Sequence, residues 1–174
     1  MNRSSILAIL AALQAERVRY LIVGGLAVVH HGHVRFTADI DLVLDMLPDN
    51  LHRAIRALQT LGYRPRVPVR FEEYADPAAR ELWMREKNMK VFSVWSPEHQ
   101  ATVIDLFVKC PFDFERASTA ADRLEIVPGV EASFVGLEDL LALKAAAARP
   151  LDLDDIAHLK RMPHGQDRRP PAAS

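Results

Sequence analysis

One cysteine, Cys110, occurs among 174 residues. No internal disulfide is therefore possible, and folding does not depend on an oxidising compartment. Long apolar runs are also missing. None reaches membrane-spanning length, and the apolar part of "MNRSSILAILAALQAERVRY" is too short and too interrupted for a secretory leader. The expectation is a soluble, cytoplasmic protein with no membrane partner. Excess charge of either sign is lacking too: 22 Lys and Arg against 23 Asp and Glu leave a net charge of −1. That balance does not predict a broad nucleic-acid surface, while a local basic patch stays compatible with it. No internal repeat is visible. Hydrophobic residues make up 49% of the chain, which excludes a largely disordered polymer. Cys110 follows an apolar run and precedes Pro111, with no base suggested nearby, so it reads as a small packed thiol.

Against these absences stands a regular alternation of elements. Ile6, Ile9, Leu10 and Leu13 repeat at helical spacing, with Ser4 or Ser5 available as a cap. "VRYLIV" (18–23) is an apolar strand ended by Gly24-Gly25, and "LAVVHH" predicts a short helix stopped by Gly32. "ADIDLVL" (38–44) predicts a second strand. Leu51, Ile55 and Leu58 mark an amphipathic helix from Pro48 towards Gly62. Residues 63–77 fit a hairpin or a covering loop, and 78–87 a helix. "MKVFSVW" and "ATVIDLFV" flank a turn-like "SPEHQ", which predicts an antiparallel hairpin. A short helix over 114–121 follows, then two small edge strands around Pro128-Gly129, then helices over 137–148 and 152–161. "GQDRRPPAAS" has the composition of a disordered tail. The fold class expected is α/β (α+β): a mixed sheet flanked by helices, one domain over residues 1–162, with a tail over 163–174.

Three acids interrupt the apolar strands. Asp39 and Asp41 are two apart, so they share one face of their strand, with Cβ atoms about 6–7 Å apart. Asp105 interrupts "TVIDLFV". If the two strands are neighbours, three carboxylates converge on one half-buried patch. Without a cation they repel. Oxygen donors of this kind suit Mg²⁺ or Mn²⁺, and paired metals suit phosphoryl chemistry. Upstream, Gly24-Gly25 between strand and helix lets a backbone approach a phosphate closely.

At these residues the sequence resembles the nucleotidyltransferase superfamily, whose pattern here reads "IVGG", "DID" and "VIDLF". The longer stretch "GGLAVVHHGHVRFTADIDLVL", with "LKAAAARPLDLDDIAHL", is similar to the AbiEii-type branch of toxin–antitoxin and abortive-infection systems. The resemblance spans most of residues 6–159 and leaves 64–87 outside. It implies a nucleotidyltransferase-like fold and transfer of an NMP from an NTP to a hydroxyl of RNA (such as a tRNA end), protein or a small molecule. It also implies a possible cognate antitoxin as partner; the rival is a non-catalytic binding module or antitoxin on the same fold. Residue by residue, it implies that Gly24 and Gly25 contact phosphates and that Asp39, Asp41 and Asp105 bind metal. Asp105 would also help to deprotonate the acceptor, Lys144 would meet the triphosphate, and Asp155 with Asp152 would complete the pocket. Gly25 stands where many relatives have serine; the backbone donors remain.

The supporting residues keep alternatives. Lys144 falls on the apolar stripe of its helix, where it needs an anion or must snorkel to water. Asp152 fits an N-cap as well as a pocket residue. Arg35, with Thr37, precedes the acids and could grip phosphate or neutralise Asp39 or Asp41. His30, His31 and His33 fit a helix C-terminus better than a zinc site, since no matching ligand spacing appears elsewhere in the chain. Arg64, Arg66 and Arg70, beside Glu72, Glu73 and Asp76, read as a solvated charged face rather than an acceptor grip.

Overall fold

The computed structural model describes residues 2–161, so the expected tail over 163–174 lies outside the described residues. Helix α1 (Arg3–Ala15) begins at Asn2, whose side chain accepts from Ser4 N. The cap is thus Asn2, not Ser4 or Ser5; its amide oxygen satisfies a donor that the first turn leaves open. Strand β1 (Tyr20–Val23) leads straight into α2 (Gly24–His30), then β2 (Asp39–Leu44) and α3 (Pro48–Gln59). Residues 63–77 form neither a hairpin nor a plain loop. They give a two-residue strand, β3 (Arg64–Pro65), and a 3₁₀ turn over Phe71–Ala75, followed by α4 (Pro77–Lys87). The expected hairpin is β4 (Val91–Trp95) with β5 (Val103–Phe107), paired antiparallel. Then come α5 (Phe114–Thr119), β6 (Asp122–Val127), β7 (Val130–Phe134), α6 (Leu137–Ala147) and α7 (Pro150–Arg161).

The strands form one mixed sheet in the order β3-β4-β5-β2-β1-β7-β6. Of the two strands expected at an edge, only β6 lies there. β7 pairs parallel with β1 through Ile22 and Phe134, which long-range docking decides and local pattern does not. Ile22, Leu42, Leu106 and Phe92 are matched across four adjacent strands and are almost wholly buried. Phe92 is covered by Phe71, Tyr74 and Trp83, with ring centroids 5.2–6.0 Å away. Each such side chain stabilises the fold by about 1.5–3 kcal/mol. Because strand side chains alternate, the residues between these core positions face the other way. On β2, β5 and β4 those residues include Asp41, Asp105 and Ser93. Among the described residues no helix is long and apolar enough to cross a membrane.

Candidate active site

β2 and β5 run parallel with Asp41 directly opposite Asp105, and Asp39 lies one pleat further along, opposite Val103. The three carboxylates therefore share one sheet face. The ion pairs among the described residues leave all three out. Burial pushes Asp41 up to about 6, and the charges of Asp105 and then Asp39 add to the rise; the Gly25 N–H and the charge of Lys144 offset only part of it. Asp39 is raised by burial and by Asp105, against the pull of Arg66. Asp105 accepts a 2.5 Å hydrogen bond from Ser93 Oγ on the neighbouring strand. Three hard oxygen donors on one face, without a cation in contact, fit a divalent ion of the Mg²⁺ or Mn²⁺ type.

The glycine pair shapes the rim of this face. Gly24 has φ +63°, and a Cβ there would collide with the Asp41 carboxylate. At Gly25 a Cβ would run into Thr37 Oγ1 and the Arg35 guanidinium. Glycine is needed at both places for close approach, and at Gly24 for the backbone conformation as well. The Gly25 N–H, expected to be open to phosphate, is engaged with Asp41. Thr37 Oγ1 donates to the Asp39 carbonyl at 3.4 Å.

A second charged cluster is built from α6 and α7. Lys144 is buried, and its Nζ donates to Asp155 Oδ2 at 2.6 Å and to Asp152 Oδ1 at 3.1 Å. The lysine thus finds its anions within the chain rather than snorkelling to water. Asp152 is not the N-cap, since α7 starts at Pro150. It sits in the first turn and accepts from Arg149 Nε at 2.7 Å. Burial alone would raise Asp152, but hydrogen bonds from Arg149 and Lys144 outweigh it and hold the carboxyl below its ordinary range. Arg35 approaches Asp155 Oδ2 at 3.6 Å instead of pairing with Asp39 or Asp41. Two buried polar atoms here, Arg35 Nε and Asp155 Oδ1, have no hydrogen-bond partner; buried polar groups are rarely left so, and such atoms mark a place where a polar ligand fits.

With that geometry in view, the family model described as nucleotidyltransferase of unknown function (DUF6036) matches residues 6–160. The chain belongs to this nucleotidyltransferase family. The nucleotidyltransferase fold is shared with solved structures at low identity. One is the lincosamide antibiotic adenylyltransferase LnuA, lincomycin-bound, with TM-score 0.61 and 17% identity over 94% of this chain and 99% of that one. Another is ANT(2″)-Ia in complex with adenylyl-2″-tobramycin, with TM-score 0.55 and 15% identity over 90% of this chain and 86% of that one. No curated protein matches the sequence.

Within this nucleotidyltransferase three residues join the site unannounced. Ser93 reaches Asp105 only because of the β4–β5 register. Arg66, expected on a solvated face, acts electrostatically on Asp39. Arg149 clamps Asp152, and its position inside "LKAAAARPLDLDD" was an available signal. Arg64 does behave as surface, lying over Trp95 at 4.5 Å. Cys110 is half-buried, its thiol is pushed up by burial, and its Sγ donates to Phe112 O, all consistent with a packed group.

Proposed function

We propose that this nucleotidyltransferase, a single domain over residues 1–162, is a metal-dependent enzyme that moves an NMP from an NTP to a hydroxyl group. The observation that carries this reading is the registered pair Asp41 and Asp105, with Asp39 beside it, on a face that has no cation of its own. Asp39, Asp41 and Asp105 would hold Mg²⁺ or Mn²⁺. Ions bound there neutralise charge at the α-phosphate and acidify the attacking hydroxyl.

The chain's own groups do the rest. Asp105, held by Ser93, takes the acceptor proton. The acceptor oxygen bonds to Pα as the bond from Pα to the bridging oxygen breaks, and pyrophosphate departs with that electron pair. Gly24 and Gly25 leave room for the phosphates. Arg35, Thr37 and Lys144 would orient the triphosphate, with Asp152 and Asp155 keeping the lysine and arginine in place. Most of the acceleration is positioning and charge compensation.

We assign the acceptor to small hydroxyl-bearing molecules in preference to tRNA or a partner protein. The fold likeness to lincosamide and aminoglycoside adenylyltransferases supports this, as does a net charge of −1. The AbiEii-type resemblance carries the opposite expectation of a toxin with a cognate antitoxin. One assay separates them: incubation with each α-labelled NTP and Mg²⁺, supplied with small polyols and antibiotics, total tRNA, or lysate protein. Label on a small molecule supports the assignment. Label on tRNA or protein moves the enzyme to the toxin class, and no label with any NTP or acceptor favours the non-catalytic module.

A further inference from the structure

We propose that His30, His31 and Asp122 form a site for one divalent transition-metal ion of the zinc type, separate from the carboxylate face. His30 ends α2, His31 follows it, and Asp122 opens β6. One ligand atom from each lies within 4.8 Å of the other two. His30 Nε2 is 3.2 Å from Asp122 Oδ2, and His31 Nδ1 is 3.8 Å from the same oxygen. Donors about 2.0–2.1 Å from a tetrahedral zinc ion stand about 3.3 Å apart, close to the two separations from Asp122 Oδ2.

Ring orientation supports the same conclusion. The two imidazoles meet edge to face at 77° with centroids 5.0 Å apart, and each turns one nitrogen towards the same Asp122 oxygen. His30 is held flat on Phe134 at 4.1 Å. His31 Nε2 lies 2.8 Å from the Val135 carbonyl oxygen. A carbonyl only accepts, so Nε2 carries hydrogen and Nδ1 is the coordinating nitrogen. Metal-binding histidines are commonly oriented by this kind of second hydrogen bond. Two imidazoles and one carboxylate suit zinc-type ions better than Mg²⁺. The other histidine cluster, His33 with Asp154 and His158, meets the same distance condition but has its two rings stacked on each other at 9°.

The ion would tie the far end of α2, the helix that begins at Gly24-Gly25, to edge strand β6. This inference does not rest on the transfer reaction, and its test needs no turnover. The full chain is stripped with chelator and titrated with Co²⁺ in excess Mg²⁺, which keeps the carboxylate face occupied. Visible absorption is followed, and circular dichroism confirms folding. The expected result is one Co²⁺ per chain with the intense bands of a low-coordinate site, displaced by Zn²⁺. His30→Ala and Asp122→Asn should each weaken binding about tenfold or more, while His158→Ala leaves it unchanged. Asp122→Asn, at an exposed position, carries the test if His30→Ala fails to fold. Absence of stoichiometric binding, as a plain histidine–aspartate ion pair would give, overturns the proposal. So does binding that Asp122→Asn leaves intact or that only His158→Ala removes.

Discussion

The carboxylates of β2 and those of α7 act on the same cations, Lys144 and Arg149, yet among the described residues only the α7 pair has cations in contact. Asp152 and Asp155 share Lys144, with Arg149 and Arg35 alongside. Asp39, Asp41 and Asp105 have each other, one serine and more distant positive charge. The helix cluster has its cations within the chain and is largely compensated, with Arg35 Nε and Asp155 Oδ1 left for a ligand. The sheet cluster is incomplete as the chain alone supplies it, and a group that is costly until something binds is a mark of function. The difference shows why counting acids is a poor guide and asking what neutralises each is a better one.

The contrast can be broken most severely at the sheet. Asp41→Asn or Asp105→Asn should lower kcat about 1,000-fold or more, equivalent to about 4 kcal/mol in the barrier, without lowering the unfolding midpoint. Steady-state turnover of labelled NTP checks the first part and thermal melting the second. On the helices the order reverses. Lys144→Ala leaves two buried carboxylates short of their cation and should destabilise the fold by about 3–5 kcal/mol, read from urea denaturation. Adding Asp155→Leu to that variant should recover part of the loss.

Acidity sharpens the comparison. Asp41 has a folded pKa of about 6, above its ordinary 3.8. The folded state therefore binds the proton more tightly. Its contribution is favourable below pH 3.8 and is lost as pH rises through 6, a swing of up to about 3 kcal/mol. In chelator, wild-type stability should fall between pH 4 and 6 more steeply than that of Asp41→Asn. Asp152, held low by Arg149 and Lys144, works in the opposite sense: its stabilisation is present above the ordinary carboxyl range and lost as pH falls through its lowered value. The smallest effect belongs to Ser93→Ala, which removes one hydrogen bond to Asp105 at a cost of about 1 kcal/mol. Turnover should fall by about fivefold if that energy is lost from the transition state, and Ser93→Thr should restore it.

Much of the sheet site was legible because strand alternation is a local rule. Asp39 and Asp41 share a face by spacing alone, and the apolar context of Asp105 marked its strand. What alternation does not encode is the neighbour. That β5 lies beside β2, that Ser93 meets Asp105, and that Arg66 reaches towards Asp39 all depend on sheet order and register. The inward position of Lys144 followed from helical spacing, but its two aspartate partners come from the next helix. The interior place of β7, one strand in from the edge, was hidden for the same reason, since its partner β1 is about a hundred residues earlier. His30 and His31 do sit at a helix end, as their spacing implied; what the spacing could not show is Asp122, which reaches them from a distant strand.

The central claim is that the sheet carboxylates oppose one another until a divalent ion and a nucleotide complete them. It is tested most directly by the unfolding midpoints of wild type and Asp41→Asn at pH 7.5, in chelator and then in Mg²⁺ with a non-hydrolysable NTP. The account predicts that Asp41→Asn is the more stable protein in chelator and that the order reverses once ion and nucleotide are added. A variant less stable than wild type in chelator, with no gain by wild type from Mg²⁺ and nucleotide, would contradict it.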